Sequence, residues 1–231
     1  MGGALSGHSG RMLTSVFRTS LPVAFGYIPL GMAFGVLLVG LGYPWWWAPV
    51  MSVFIFAGSA QFLAVGLLAA GASAIDAFVA TLLLNLRHVF YGLTMLDRYR
   101  ALGRGRVYAI FGLTDETFSL LAGIAPHERD RRWVVGMTAL NQFWWVLGSS
   151  VGAIVGRSLP FSTEGLAFAL TALFAVLLVE QLLRGFRPAA LAGALLGAGL
   201  CLGLLPGKYF LIASMCFAAL VLGLLPRRSQ E

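Results

Sequence analysis

Long apolar stretches alternate along this chain with short polar interruptions, and the lengths of those stretches predict its architecture. Leu21 to Leu41, Leu166 to Leu183 and Tyr209 to Leu225 each reach the roughly 18 apolar-rich residues that carry a helix across a ~30 Å hydrocarbon layer. Strand-like alternation in segments of about 10 residues is missing, so helices are predicted rather than a barrel. The pattern therefore predicts an all-α, polytopic membrane bundle of seven or eight hydrophobic helices over residues 21–226, some discontinuous or re-entrant. Residues 1–20 and 227–231 read as cytoplasmic tails.

Within that frame each stretch has its own irregularity. Pro22 and Pro29 remove backbone donors from the first helix and predict a kink, while Gly31 and Gly35 on one face permit close packing. Gly42-Tyr43-Pro44-Trp45-Trp46-Trp47 reads as a turn at headgroup level. From Ala48 to Ala70 the chain is apolar except for Gly58, Ser59 and Gln61, where a helix interruption would leave free N–H groups that attract a carboxylate. Ile75 to Leu96 reads as one span despite Arg87, whose central placement costs about 3 kcal/mol of insertion.

Val107 to Ile124 is broken by Gly112 and carries Thr114-Asp115-Glu116-Thr117, which predicts a discontinuous or re-entrant helix. Trp133 opens a helix to about Gly156 that contains Asn141, Gln142 and the Gly152/Gly156 pair. Gly165 to Leu183 is read as helix six, Pro188 starts helix seven, and Pro206-Gly207-Lys208 turns it into helix eight. Setting residues 51–62 over 171–182 aligns Phe54 with Phe174 and Gln61 with Gln181, either as an internal repeat or by chance.

Composition narrows the class. With 59% hydrophobic and 11% charged residues and a mean hydropathy of +0.86, the chain lacks a soluble surface. The net charge of +7 comes from arginines between apolar segments, where it sets orientation instead of binding nucleic acid. Arg11, Arg18, Arg184, Arg187, Arg227 and Arg228 read as cytoplasmic. Counting every segment as a full span puts Arg98, Arg100, Arg104 and Arg106 on the opposite face, against the positive-inside tendency. A segment ahead of that loop that enters and leaves on one face removes the conflict.

Cys201 and Cys216 have no metal-ligand spacing and read as packing residues, so neither a metal nor a cofactor is expected. Zinc-protease, hydrolase-elbow and P-loop signatures are missing, which argues against an enzyme.

The candidate chemistry is a set of intramembrane polar residues, each with a plain structural alternative. On one helix, Asn85 and His88 lie three apart and Arg87 and Tyr91 four apart, framing a small site. Alternatively Arg87 snorkels to the interface and His88 is a packed histidine. Asp115 and Glu116 either cap a helix start or supply a partner for Arg87 and a proton-exchanging carboxylate. Glu180 reads as an anchor near a basic helix end. Gly58, Ser59, Gln61, Asn85, Tyr91 and Asn141 are the candidate substrate contacts, and Arg87, His88, Asp115 and Glu116 the candidate coupling groups. Phe54, Phe62 and Phe174 would supply apolar walls.

Phe56-Ala57-Gly58-Ser59-Ala60-Gln61-Phe62, Asn85-Leu86-Arg87-His88-Val89-Phe90-Tyr91-Gly92 and Thr114-Asp115-Glu116-Thr117-Phe118 resemble the AzlC family, over about Phe17 to Leu225. That family comprises large subunits of branched-chain amino acid exporters. The resemblance implies an inner-membrane permease that exports branched-chain or other small apolar amino acids, with a small AzlD-type membrane subunit as partner. One departure is Leu166-Ala167-Phe168, where such proteins often carry an acidic residue before the Phe. The rival expectation is an accessory or structural subunit whose glycine faces pack against a partner that carries the pathway.

Overall fold

A computed structural model describes residues 3–122, 124, 131–158 and 188–204, with a few single positions from 175 to 220. The described residues form helices joined by turns and include no strand. They divide into two compact units: residues 1–69 with 87–166, and residues 70–86 with 167–231.

The first unit is built on two long helices, α1 (Gly3–Gly40) and α8 (Arg131–Gly156). Their contacts rise together along both chains. Ser15 meets Trp133, Ser20 meets Asn141, Gly31 meets Ser149 and Gly35 meets Gly152, so the two helices run parallel. Glycine makes the approach possible. A methyl group on Gly31 would stand 2.9 Å from the Ser149 nitrogen, and one on Gly148 would stand 2.6 Å from the Ile28 carbonyl oxygen. Methyls on Gly35 and Gly152 would collide with the backbones of Ser149 and Met32. These are small-residue seams of the kind that let membrane helices touch backbone to backbone.

Against this pair lie two short helical hairpins that approach from opposite ends. The first consists of α2 (Trp47–Phe54) and α3 (Gly58–Ala69). Ser52 bonds Ser149, Phe56 reaches the level of Tyr27 and Trp145, and Phe62 lies back beside Phe34. The chain thus descends from the Trp45–Trp47 end, breaks at Ile55–Ala57 and returns. Phe56 sits at the tip with φ +43°, a left-handed conformation that costs a non-glycine residue about 1–2 kcal/mol. Its ring is buried against Tyr27 and Phe111, and that burial offsets the strain.

The second hairpin consists of α6 (Arg106–Phe111) and α7 (Asp115–Ala122). Gly105 lies against Val135 and Arg131, Gly112 against Thr138, Thr114 at Tyr27, and Leu121 back among Val16, Trp133 and Val134. This segment rises from the arginine-rich end to the level of the first break and returns to where it began.

Between the hairpins in sequence, α5 (Arg87–Arg100) runs from the level of the breaks to the arginine-rich end, where Met95 and Tyr99 join the same apolar cluster. The loop carrying Arg104 and Arg106 accordingly sits beside Arg131, at the same end as Arg11 and Arg18. The second unit includes α4 (Ala74–Asn85), opened by a Ser73–Asp76 capping box, and α9 (Pro188–Leu204), where Phe217 packs on Gly197.

Several sequence expectations change. The expected tail over residues 1–20 is helical from Gly3, because Val16 is buried and Met12 packs against the Trp133–Met137 cluster. The span expected over Ile75 to Leu96 breaks at Leu86, so Asn85 and His88 belong to different helices and different units.

Among the described residues, Gly10–Gly40 is long and apolar enough to cross a membrane, and α4 with α5 passes the same test as a pair. The expected seven or eight hydrophobic helices are not reached among the described residues, where the hairpin arms are half-length and α8 carries Asn141, Gln142, Ser149 and Ser150. Helices six and eight, Glu180, Cys216 and the second half of the proposed repeat lie outside the described residues.

Candidate functional site

The two breaks meet where polar groups gather. Breaking α2 from α3 strands backbone groups that apolar surroundings cannot solvate, and two glutamines take them up. Gln142 Nε2 donates to the Val53 carbonyl at 2.9 Å, and Tyr108 holds that amide by donating to its oxygen at 2.6 Å. On the other arm, Gln61 Oε1 accepts from the Ala57 N–H at 3.3 Å and from Trp145 Nε1 at 2.9 Å, while Nε2 donates to Ser52 Oγ at 3.2 Å. Gln61 is fully buried, and these bonds tie the returning arm to its partner and to α8.

Arg87, at the start of α5, spans the starts of both returning helices. Its Nη1 lies 2.8 Å from Asp115 Oδ2 at the first residue of α7, and its Nη2 donates to Ser59 Oγ at 3.4 Å in the first turn of α3. The pair is part-exposed, with side-chain exposures of 36% and 25%, so it is neither sealed nor fully solvated. Arg87 Nε, Asp115 Oδ1 and His88 Nδ1 are buried atoms without a hydrogen-bond partner. A spare donor, a spare acceptor and an imidazole nitrogen therefore border one ion pair. Tyr91 stacks on Phe118 at 4.2 Å, meets the His88 ring edge-on at 5.4 Å and lies close enough to Asp115 to feel its charge.

Glu116 points another way. Its Oε2 accepts from the Tyr27 hydroxyl at 2.7 Å, and Tyr27 is also 2.7 Å from Thr114 Oγ1. From Thr114 the contacts continue through Thr117, Asn141 and Ser20 to Trp144 Nε1, at 3.1, 3.1, 2.5 and 3.0 Å. All but Trp144 and Glu116 are buried.

Of the sequence-predicted residues, the structure thus brings Ser59, Arg87, His88, Tyr91 and Asp115 together at one place, with Gly58 beside them, where an added methyl would stand 3.1 Å from the Trp145 ring. Glu116 adjoins them through Tyr27. Gln61 and Asn141 have both ends of their amides engaged by protein groups, and Asn85 belongs to the second unit. Phe62 is buried against Phe34 and Trp145, Phe54 is exposed, and Phe174 lies outside the described residues. Sequence reasoning missed Tyr27, Trp145, Ser20 and Thr117. The available signal for Tyr27 was a polar tip inside an otherwise apolar helix stretch.

An apolar helical chain that keeps a charged pair at the meeting of two interrupted helices is built as an integral membrane protein. A family model described as AzlC protein matches residues 22–159. The branched-chain amino acid transport protein AzlC of Bacillus subtilis (strain 168) is 38% identical over 206 residues, covering 87% of this chain and 80% of its own length. Inner membrane protein YgaZ of Escherichia coli (strain K12) is 35% identical over 201 residues, covering 79% and 80%. An uncharacterized membrane protein of Helicobacter pylori (strain ATCC 700392 / 26695) is 38% identical over 208 residues, covering 89% and 91%. The chain belongs to the AzlC family. No solved structure matches it.

Proposed function

We propose that this protein is an inner-membrane permease that exports branched-chain or other small apolar amino acids, coupled to protons and acting with a small AzlD-type membrane subunit. The observation that carries the reading is the Arg87–Asp115 pair between the starts of α3 and α7. An amino acid zwitterion can replace that pair charge for charge. Its carboxylate takes the place of Asp115 on Arg87, assisted by the N–H groups at Gly58 and Ser59, and its ammonium takes the place of Arg87 on Asp115. No net charge enters the low-dielectric interior in that exchange, which is the favourable way to bring a zwitterion there. Arg87, His88, Asp115 and Glu116 are the coupling group, and Tyr91 borders the substrate. An apolar surround distinguishes one methylene by only about 1–3 kcal/mol, so selectivity among aliphatic side chains is broad.

The opposed hairpins supply the two faces of access. With the arginine-rich end in the cytoplasm, α6–α7 is re-entrant from inside and α2–α3 from outside, and the tips meet at Tyr27, Phe56 and Gly112. The accessory-subunit reading loses Gly31, Gly35, Gly152 and Gly156, which pack within this chain, and keeps Gly199 and Gly203 of α9, where an added methyl would meet nothing within 4 Å.

The test is counterflow of labelled leucine or valine into liposomes holding the purified protein, with and without the small subunit. Saturable exchange in either condition is expected. No flux in both would end the transport reading.

A further inference from the structure

Two carboxylates adjoin in sequence at the start of α7, and they are held differently. Asp115 is in direct contact with the guanidinium at 2.8 Å. Among the described residues, Glu116 has no cation within ion-pair distance, and its contact is the neutral Tyr27 hydroxyl. We propose that Glu116 is the carboxylate that takes up and releases the proton, that Asp115 stays ionised as the counter-ion of Arg87, and that Tyr27 is the positioning residue that makes the Glu116 step reversible. The transport reading gives this step its purpose, whereas its chemistry is read from the contacts alone.

Hydroxyl groups donate and accept, which lets the chain behind Glu116 serve both protonation states. With Glu116 ionised, Tyr27 gives its single hydrogen to Oε2, so the Thr114 hydroxyl turns to donate to Tyr27 and the Thr117 hydroxyl to Thr114, while Asn141 Nδ2 donates to Thr117. After Glu116 takes one proton from water, its O–H donates to Tyr27, Tyr27 donates to Thr114 and Thr114 donates to Thr117. Hydroxyl hydrogens rotate and no O–H bond in Tyr27 or the threonines breaks. The reversal stops at Thr117, because the Asn141 amide nitrogen can only donate, so in this state Thr117 accepts two bonds and gives up the one it made to Thr114. Asn141 is itself fixed by Ser20 at 2.5 Å, so the network positions Glu116 and does not conduct protons across the protein.

Asp115 lacks this freedom. Protonating it would dissolve the ion pair and leave Arg87 uncompensated in a part-buried place, the costly outcome for paired charges. Charge balance agrees. The charges of Arg87, Asp115 and Glu116 sum to one negative charge when both carboxylates are ionised, and to zero once Glu116 is protonated. The groups facing Glu116 are Tyr27 from α1, Asp115 on its own helix and, more distantly, Tyr91 from α5 beside Arg87 and His88. The α8 groups nearest this network, Thr138 and Asn141, do not titrate.

Infrared difference spectroscopy of the full chain in lipid vesicles, recorded between alkaline and acidic buffer, reads this directly through the carboxylic acid C=O stretch. The parent should show a carboxylic acid band that is lost in Glu116→Gln and kept in Asp115→Asn. Tyr27→Phe, which removes one hydroxyl and leaves the ring contacts, should displace the band's frequency without removing it. A band lost in Asp115→Asn and kept in Glu116→Gln, or a parent without the band, overturns the assignment. A Tyr27→Phe spectrum superimposable on the parent removes Tyr27 from it. Leucine flux is measured separately: its absence with this spectral pattern intact would retire the transport reading and leave the proton assignment standing.

Discussion

At Gln61 the side-chain amide meets Trp145, Ser52 and the Ala57 N–H with no exposed surface. Replacement by Ala would leave the buried Trp145 indole N–H and the part-buried Ala57 N–H without an acceptor, so Gln61→Ala should lower stability by about 1–3 kcal/mol. The leucine KM should not change. Thermal unfolding in detergent together with counterflow kinetics separates the two effects, and a raised KM with intact stability would show Gln61 to be a substrate contact. Asp115→Asn should abolish exchange while inserting normally, because a neutral amide cannot hold Arg87 or an ammonium as a carboxylate does; exchange at the parent rate would remove Asp115 from the site. Residue by residue, an acidic partner for Arg87 could be expected from the sequence because an arginine inside apolar sequence needs one, but the sequence offered Asp115 and Glu116 alike. Tyr27 was not legible, since a tyrosine among apolar residues reads equally well as packing, and only the fold brings Glu116 to its hydroxyl.

Among the elements, α1 and α8 depend on glycine where their backbones touch, and the dependence is local. A methyl on Gly152 runs into the Met32 backbone, whereas one on Gly26 meets nothing within 4 Å. Gly152→Ala should destabilise the protein by about 1–3 kcal/mol or more through overpacking, and Gly26→Ala should be neutral or slightly stabilising. Unfolding temperatures of the two variants, measured side by side, check this; equal values would mean the seam can spread at little cost. The interruptions at Gly58 and Gly112 could be read from the sequence, because polar residues following glycine inside an apolar run mark a helix that stops. Whether the chain then continues or doubles back could not be read. A broken span and a hairpin have the same hydropathy, and the difference is made by distant partners such as Ser149 for Ser52 and Thr138 for Gly112.

At the scale of the molecule, the hairpins account for the arginine problem. With α2–α3 returning to the end where it began, the loop holding Arg98 to Arg106 falls at the same end as Arg11, Arg18 and Arg131, as the positive-inside tendency requires. In a background without Cys201 and Cys216, single cysteines at Leu13 and Arg104 should react with an impermeant thiol reagent from one side of the membrane and a cysteine at Tyr43 from the other. Labelling of Arg104→Cys and Tyr43→Cys from the same side would break this topology. The proposed function rests on the bridge that Arg87 makes between α3 and α7. Counterflow of labelled leucine by Arg87→Gln, in liposomes matched to the parent for inserted protein, tests that most directly. The account predicts a loss of at least about tenfold, the equivalent of 1.4 kcal/mol; exchange at the parent rate would contradict it.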